Sequence, residues 1–146
     1  MKAERFSCRI YGVLPRPGAG GRVEVLLTRS LFSGREFVNF PGGGIELGEA
    51  PRDALAREFL EETGIAIEPV HILYASQAVH VSTQKPWQLV SMYWLVKQVG
   101  GTLRAGGNGD DVAATFWSEL RDIPKSEMFP SDLEMLQALP GLPPFC

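Results

Sequence analysis

The chain has 146 residues, 45% hydrophobic and 21% charged, proportions of an ordinary folded domain that exclude a disordered or fibrous polymer. Its formal net charge is −3, from 14 basic against 17 acidic residues. That excludes a broad cationic surface for a nucleic-acid polymer, but not a small phosphorylated ligand whose charge a metal ion offsets.

Cys8 and Cys146 match no zinc or disulfide spacing, no apolar run reaches the ~18 residues of a membrane span, and no secretory h-region opens the chain. The expectation is one domain over 1–146, reduced and cytoplasmic, with no membrane partner.

Two β-rich runs come first, Phe6–Leu14 and Val23–Thr28, joined by the Pro- and Gly-rich stretch Pro15–Arg22. They are expected to form a hairpin. Gly18, Gly20 and Gly21 are read as turn residues, because no Gly-Lys-Ser/Thr follows and no helix opens after them. A short strand over Glu36–Phe40 leads into a loop containing Gly42, Gly43 and Gly44.

A helix reads from Pro51 to Thr63. Proline suits its first position, Asp53 the positive end of the dipole, and Gly64 the left-handed exit. Ala50, Ala54, Leu55 and Phe59 form its apolar side. Beyond it, Ile67–Gln77 and Leu89–Val96 read as strands around a loop at Ser82–Trp87, and Val99–Gly109 reads as flexible. Ala113–Trp117 reads as a last strand and Leu120–Pro124 as a turn. The closing helix starts near Ser131, with Ser131 and Glu134 as a capping box ahead of Leu136 and Leu139. This order predicts an α/β (α+β) fold, a mixed sheet with helices packed on its faces.

The chemistry lies in Gly43–Ile65. Glu58, Glu61 and Glu62 stand at i, i+3 and i+4, so one helical side carries their carboxylates, and like charges so placed repel. A hard divalent cation relieves that repulsion, and oxygen ligands suit Mg²⁺, or Mn²⁺ in its place. The glycines immediately before the helix allow a ligand to approach the backbone closely.

The same stretch, GGIELGEAPRDALAREFLEETGI, resembles at every defined position the signature of the Nudix hydrolase (MutT-like) family. The resemblance implies an α/β/α sandwich whose signature forms loop, helix and loop. It implies Glu58, Glu61 and Glu62 as metal ligands, joined by the carbonyl of Gly42, with Glu58 as the general base of some members. Arg57 is similar to the family arginine that orients a carboxylate, with Glu49 as its ion-pair partner, while Glu46 is expected to be exposed.

The implied reaction is hydrolysis of a nucleoside diphosphate linked to another moiety, on a small-molecule nucleotide substrate, by a monomer or homodimer. His80–Thr83 carries neither the proline of ADP-ribose-cleaving members nor the tyrosine of dinucleoside-polyphosphate cleavers. Downstream, Asp111, Phe116-Trp117-Ser118 and Met128–Asp132 look like the tail of the oxidised-purine nucleoside triphosphatases.

That likeness implies Asp111 as a further metal ligand, Phe129 as a stacking platform and Asp132 as a reader of the base edge. Trp87 is the alternative stacking residue. A triphosphate cleaved to monophosphate and pyrophosphate is the leading expectation. ADP-ribose, a nucleotide sugar or another dinucleotide is the alternative, and a non-catalytic ligand sensor a third. Trp94 and Trp117 are expected in the core, and His71 and His80 without ligand-like partners.

Overall fold

A computed structural model describes residues 2–32 and 34–139; Cys146 lies outside them. The strands are β1 (Arg5–Val13), β2 (Pro15–Pro17), β3 (Val23–Phe32), β4 (Arg35–Asn39) and β5 (Gly42–Gly44), followed by helix α1 (Pro51–Thr63). Then come β6 (Ile65–Ala75), β7 (His80–Val81), β8 (Trp87–Gly101), β9 (Val112–Glu119) and helix α2 (Pro130–Ala138).

The strands form two sheets rather than one. The first is mixed, in the order β5-β1-β8-β6 with β7 also on β8. Its β1–β8 pairing is parallel, and the others are antiparallel. The second is antiparallel, with β3 pairing β2, β4 and β9. Where the chain passes from one sheet to the other, Leu26 N–H donates to the Leu14 carbonyl (3.1 Å), between β1 and β2, and Gly12 N–H to Pro41 (2.8 Å), between β4 and β5.

Strand alternation explains why both helices can cover this layer. Ile10 and Leu26 face α1, packing with Ala54, Leu55, Phe59, Ile65 and Val96. Their neighbours Tyr11, Val25 and Leu27 belong with Tyr93, Leu95 and Met135 on the α2 side. Each cluster draws on both sheets, so the strands make a middle layer between two helices. Trp94 and Trp117 are partly buried against the α1 cluster.

Three sequence expectations are corrected. The runs 6–14 and 23–28 form no hairpin ladder with each other, beyond the Leu26–Leu14 bond; β1 belongs to the first sheet, and β3 turns back onto the three residues of β2. The prolines of β2 sit at the end of a sheet, where a missing N–H costs little. The stretch 99–109 is tied down rather than loose. Arg104 N–H donates to Thr63 (2.8 Å), and its side chain donates to the end carbonyls of Leu60 and Glu61 at 3.1 and 2.6 Å. They lie in the last turn, where carbonyls run short of partners within the helix, and a cation there complements the dipole.

Ser131 and Glu134 form no capping box: Phe129 is the N-cap residue, and no side chain caps the helix. Pro130 occupies the first turn, the Ser131 hydroxyl lies 3.2 Å from Tyr93 Oη, and Glu134 reaches away to other strands.

Gly64 ends α1 at φ 83°, its N–H donating to the Leu60 carbonyl at 2.9 Å. A Cβ there would be strained and would also meet the Thr102 carbonyl. Gly64→Ala is therefore expected to cost at least about 1–2 kcal/mol, read as a lower urea midpoint at unchanged m-value.

Candidate active site

The glycines before α1 form strand β5, not a loop. Gly42 pairs with Tyr11 and Gly44 with Arg9 on β1. The helix lies so close above that a Cβ on Gly43 would come within 2.7 Å of Glu58 Cδ. Glycine is needed here because a carboxylate occupies the space of a side chain. Beside it, Glu62 is 8% exposed, and its Oε2 accepts the N–H of Gly42 at 2.7 Å.

Burial pushes the Glu62 carboxyl well above its ordinary range, aided by the charges of Glu58 and Asp111 and opposed by the Gly42 N–H. Burial also raises Glu58, with Arg57 opposing and Glu61 assisting. Both groups therefore hold negative charge at a cost, which a cation would remove.

The three glutamates do not share one environment. Glu58 and Glu62 line a cavity of about 510 Å³, whereas Glu61 is not on its wall and is exposed. Positions i+3 and i+4 differ by about 100° around a helix, and that rotation carries residue 61 outward. There Arg57 Nη1 contacts it at 3.4 Å. Among the described residues, no three His, Cys, Asp or Glu side chains are gathered as a ready metal nest. Asp111 lines the cavity and accepts a hydrogen bond from Asn108 Nδ2 at 2.7 Å, and the backbone of Gly42 lines it too.

Arg57 makes a two-point contact with Glu49, Nε to Oε2 at 2.7 Å and Nη2 to Oε1 at 2.9 Å, and reaches Glu58 Oε1 at 3.1 Å. Glu49 is lowered chiefly by that hydrogen bonding. A planar guanidinium held on two oxygens has its third edge fixed, and so fixes Glu58. Glu46 is exposed, as expected.

Phe129, Asp132 and Trp87 line the same cavity. Phe129 stacks on Phe37, centroids 4.5 Å apart and planes 12° from parallel, so one of its faces is taken. Trp87 has Lys85 Nζ 4.3 Å and the Arg5 guanidinium 4.7 Å from its ring centroid. Asp132 is 1% exposed. Its Oδ1 accepts the Tyr93 hydroxyl at 2.6 Å, while its buried Oδ2 has no partner.

Several residues escaped the sequence reading. Asn39 lines the cavity with a second unpartnered buried oxygen, Oδ1. Arg9 and Tyr11 lie on the wall too, joined by a 2.9 Å bond from Arg9 Nε to Tyr11 Oη. A charged residue two positions from Tyr11, on the inner side of an apolar strand, was the available signal for Arg9.

His80 is not alone: its Nε2 lies 2.9 Å from Glu134 Oε1. Glu134 also accepts from Tyr74 Oη (2.7 Å), Gln77 N–H (2.7 Å) and Ala78 N–H (3.0 Å). Desolvation works upward on this carboxyl, but those bonds outweigh it and hold it at about 2. His71 is exposed.

A family model described as the NUDIX domain matches residues 9–139. An ADP-ribose pyrophosphatase of Methanocaldococcus jannaschii is 31% identical over 87 residues, 58% of this chain and 47% of that protein. An RNA pyrophosphohydrolase of Dinoroseobacter shibae is 39% identical over 64 residues, 44% of this chain and 39% of that one. The matches thus span less than half the length of these relatives.

Among solved structures, a NUDIX hydrolase from Nitrosomonas europaea superposes with TM-score 0.75 at 16% identity, covering 90% of this chain and 86% of that one. A MutT protein from Methanosarcina mazei gives 0.72 at 17%, covering 97% and 96%. At such identities the likeness is one of fold, and the α/β/α arrangement agrees with it.

Burial, the largest influence, raises Asp132 from 3.8 to about 6, against the Tyr93 hydrogen bond. Between those values the folded state keeps a proton the unfolded chain has released. The group's contribution is therefore full below 3.8 and lost as pH rises through about 6. The stability of the native protein minus that of Asp132→Asn, from urea unfolding, is expected to decline by on the order of 3 kcal/mol across that window and to be level above it.

Proposed function

The chain belongs to the NUDIX domain family, and on that premise we propose that it is a divalent-cation-dependent pyrophosphohydrolase. Its substrate in this reading is a purine nucleoside triphosphate, cleaved to monophosphate and pyrophosphate. The observation that carries the substrate half is the pair of buried, unpartnered acceptors, Asp132 Oδ2 and Asn39 Oδ1, on one cavity wall. A buried acceptor left unpaired is costly, and a base edge carrying N–H donors repays both. Phe129 supplies a ring in the same cavity, its packing on Phe37 keeping it rigid.

The donor set fits a hard cation. Glu58 and Glu62 offer carboxylates whose charge burial disfavours, and Mg²⁺ or Mn²⁺ takes such oxygens. These two would hold it, with Asp111 and the Gly42 carbonyl beside them on the cavity lining; Glu61, exposed outside the cavity, would have to turn its side chain inward to join them. When bound, the cation polarises phosphate oxygens and acidifies water.

The chain's own groups do the rest. Arg57 bonds Oε1 of Glu58, leaving Oε2 to take a proton from the attacking water. Glu49 keeps Arg57 in place for that task, on two bonds. The Gly42 N–H orients Glu62.

A second reading keeps this chemistry on a diphosphate that joins a nucleoside to another moiety, such as ADP-ribose, which the M. jannaschii relative is named for cleaving. The extension of the cavity to Trp87, with Lys85 beside it, favours room for a second group. No helix among the described residues is long and apolar enough to cross a membrane. A single domain over residues 1–146, working in the cytoplasm as a monomer or homodimer, belongs to the same proposal.

Incubation with Mg²⁺ and a panel of common and oxidised nucleoside triphosphates, nucleotide sugars, ADP-ribose and dinucleoside polyphosphates separates the readings. Pyrophosphate release from a purine triphosphate supports the first, and inactivity on every triphosphate overturns it. Excess chelator is expected to abolish turnover, and Glu62→Gln to lower kcat by about 100-fold or more with melting temperature retained.

A further inference from the structure

Arg9 is an unusual cation for the place it occupies. It sits in the middle of β1, partly buried on the cavity wall, in a chain of net charge −3. Its Nε is committed to Tyr11 Oη at 2.9 Å, and its guanidinium stands 5.9 Å from the centre of that ring. Among the described residues it makes no ion pair and no other side-chain hydrogen bond, so both terminal nitrogens keep their donors free.

Sheltered arginines are ordinarily matched by a carboxylate, and five donors in a rigid fork suit a phosphate equally well. Gly44 on β5, its partner across the β1–β5 ladder, puts no side chain against the fork: a Cβ there would stand in contact with Nη1, at 3.4 Å.

The position of Arg9 says which phosphate. Arg9 lines one cavity with Glu58 and Glu62 and also with Asp132 and Asn39. A nucleotide with its base at Asp132 and Asn39 and its anhydride at the glutamates lays the phosphate joining those parts beside this side chain.

Building on the nucleotide reading above, we propose that Arg9 binds the 5′-phosphate directly attached to the nucleoside, the one that stays with the monophosphate product. The Tyr11 hydroxyl fixes the plane of the fork, and the free terminal nitrogens donate to two oxygens of that phosphate. The interaction needs no metal, so it operates on the product as well as on the substrate.

The test uses metal-free protein and binding alone. Titration calorimetry compares the four common ribonucleoside 5′-monophosphates and 8-oxo-GMP with their nucleosides, on the native protein, Arg9→Gln and Arg9→Lys. The native protein is expected to bind at least one monophosphate about tenfold or more tightly than its nucleoside. Arg9→Gln is expected to remove that advantage while leaving nucleoside affinity within about twofold.

Arg9→Lys keeps the charge but not the fork, and is expected to lose part of the advantage. It also supplies the measurement if the glutamine variant does not fold. Equal losses for nucleoside and monophosphate, no loss for either, or a panel in which no monophosphate outbinds its nucleoside each overturn the proposal. Pyrophosphate release in the substrate panel is scored independently, so failure here is distinct from failure of the hydrolytic reading.

Discussion

Everything at the site depends on how closely a glutamate-bearing helix is set against a strand of glycines. Glu62 rests on the Gly42 N–H, and Glu58 fills the space above Gly43 where a side chain would stand. Removing carboxylates from water is expensive, and placing two side by side adds repulsion. The fold meets part of that cost with one backbone donor and two arginines, Arg57 and Arg9, and the rest remains as the raised proton affinity of both groups. The apolar side of the same helix, through Phe59 and Leu55, holds it in place.

The glutamate-bearing part of the candidate site could be traced in the sequence because its residues are concentrated in one short stretch. Spacing on one helix and the glycines before it determine which groups meet, and the Glu49–Arg57 pair spans only eight residues. Glu61 is the exception, since the same helical arithmetic that groups the glutamates also turns one of them outward. The helix boundaries followed from Pro51 and Gly64, whose backbone preferences act locally.

What could not be read depended on partners far apart in the chain. Ser131 and Glu134 carry the pattern of a capping box, yet tertiary partners drew them off: Tyr93 to the serine, and Tyr74, His80 and two backbone amides to the glutamate. Val23–Thr28 has the character of a strand but not the address of its neighbours, so the division into two sheets stayed hidden. Asp132 was named from the sequence, but Asn39 and Arg9 come from two other elements, and only the folded chain brings them to its cavity.

The gathering of bonds on Glu134 has a consequence for how the cavity can vary. One carboxylate fastens the segment from Gln77 to His80, and it sits on the helix that also bears Asp132. Residues 79 and 81–84 line the cavity together with His80, while the bonds from this segment to Glu134 come from the amides of Gln77 and Ala78 and from His80. Apart from His80, the residues that shape this wall are thus not the ones that anchor it to the helix. The wall behaves as an interchangeable panel: its lining can be rewritten by successive substitutions, and new pocket contours explored, without loosening the hinge-post that keeps it upright.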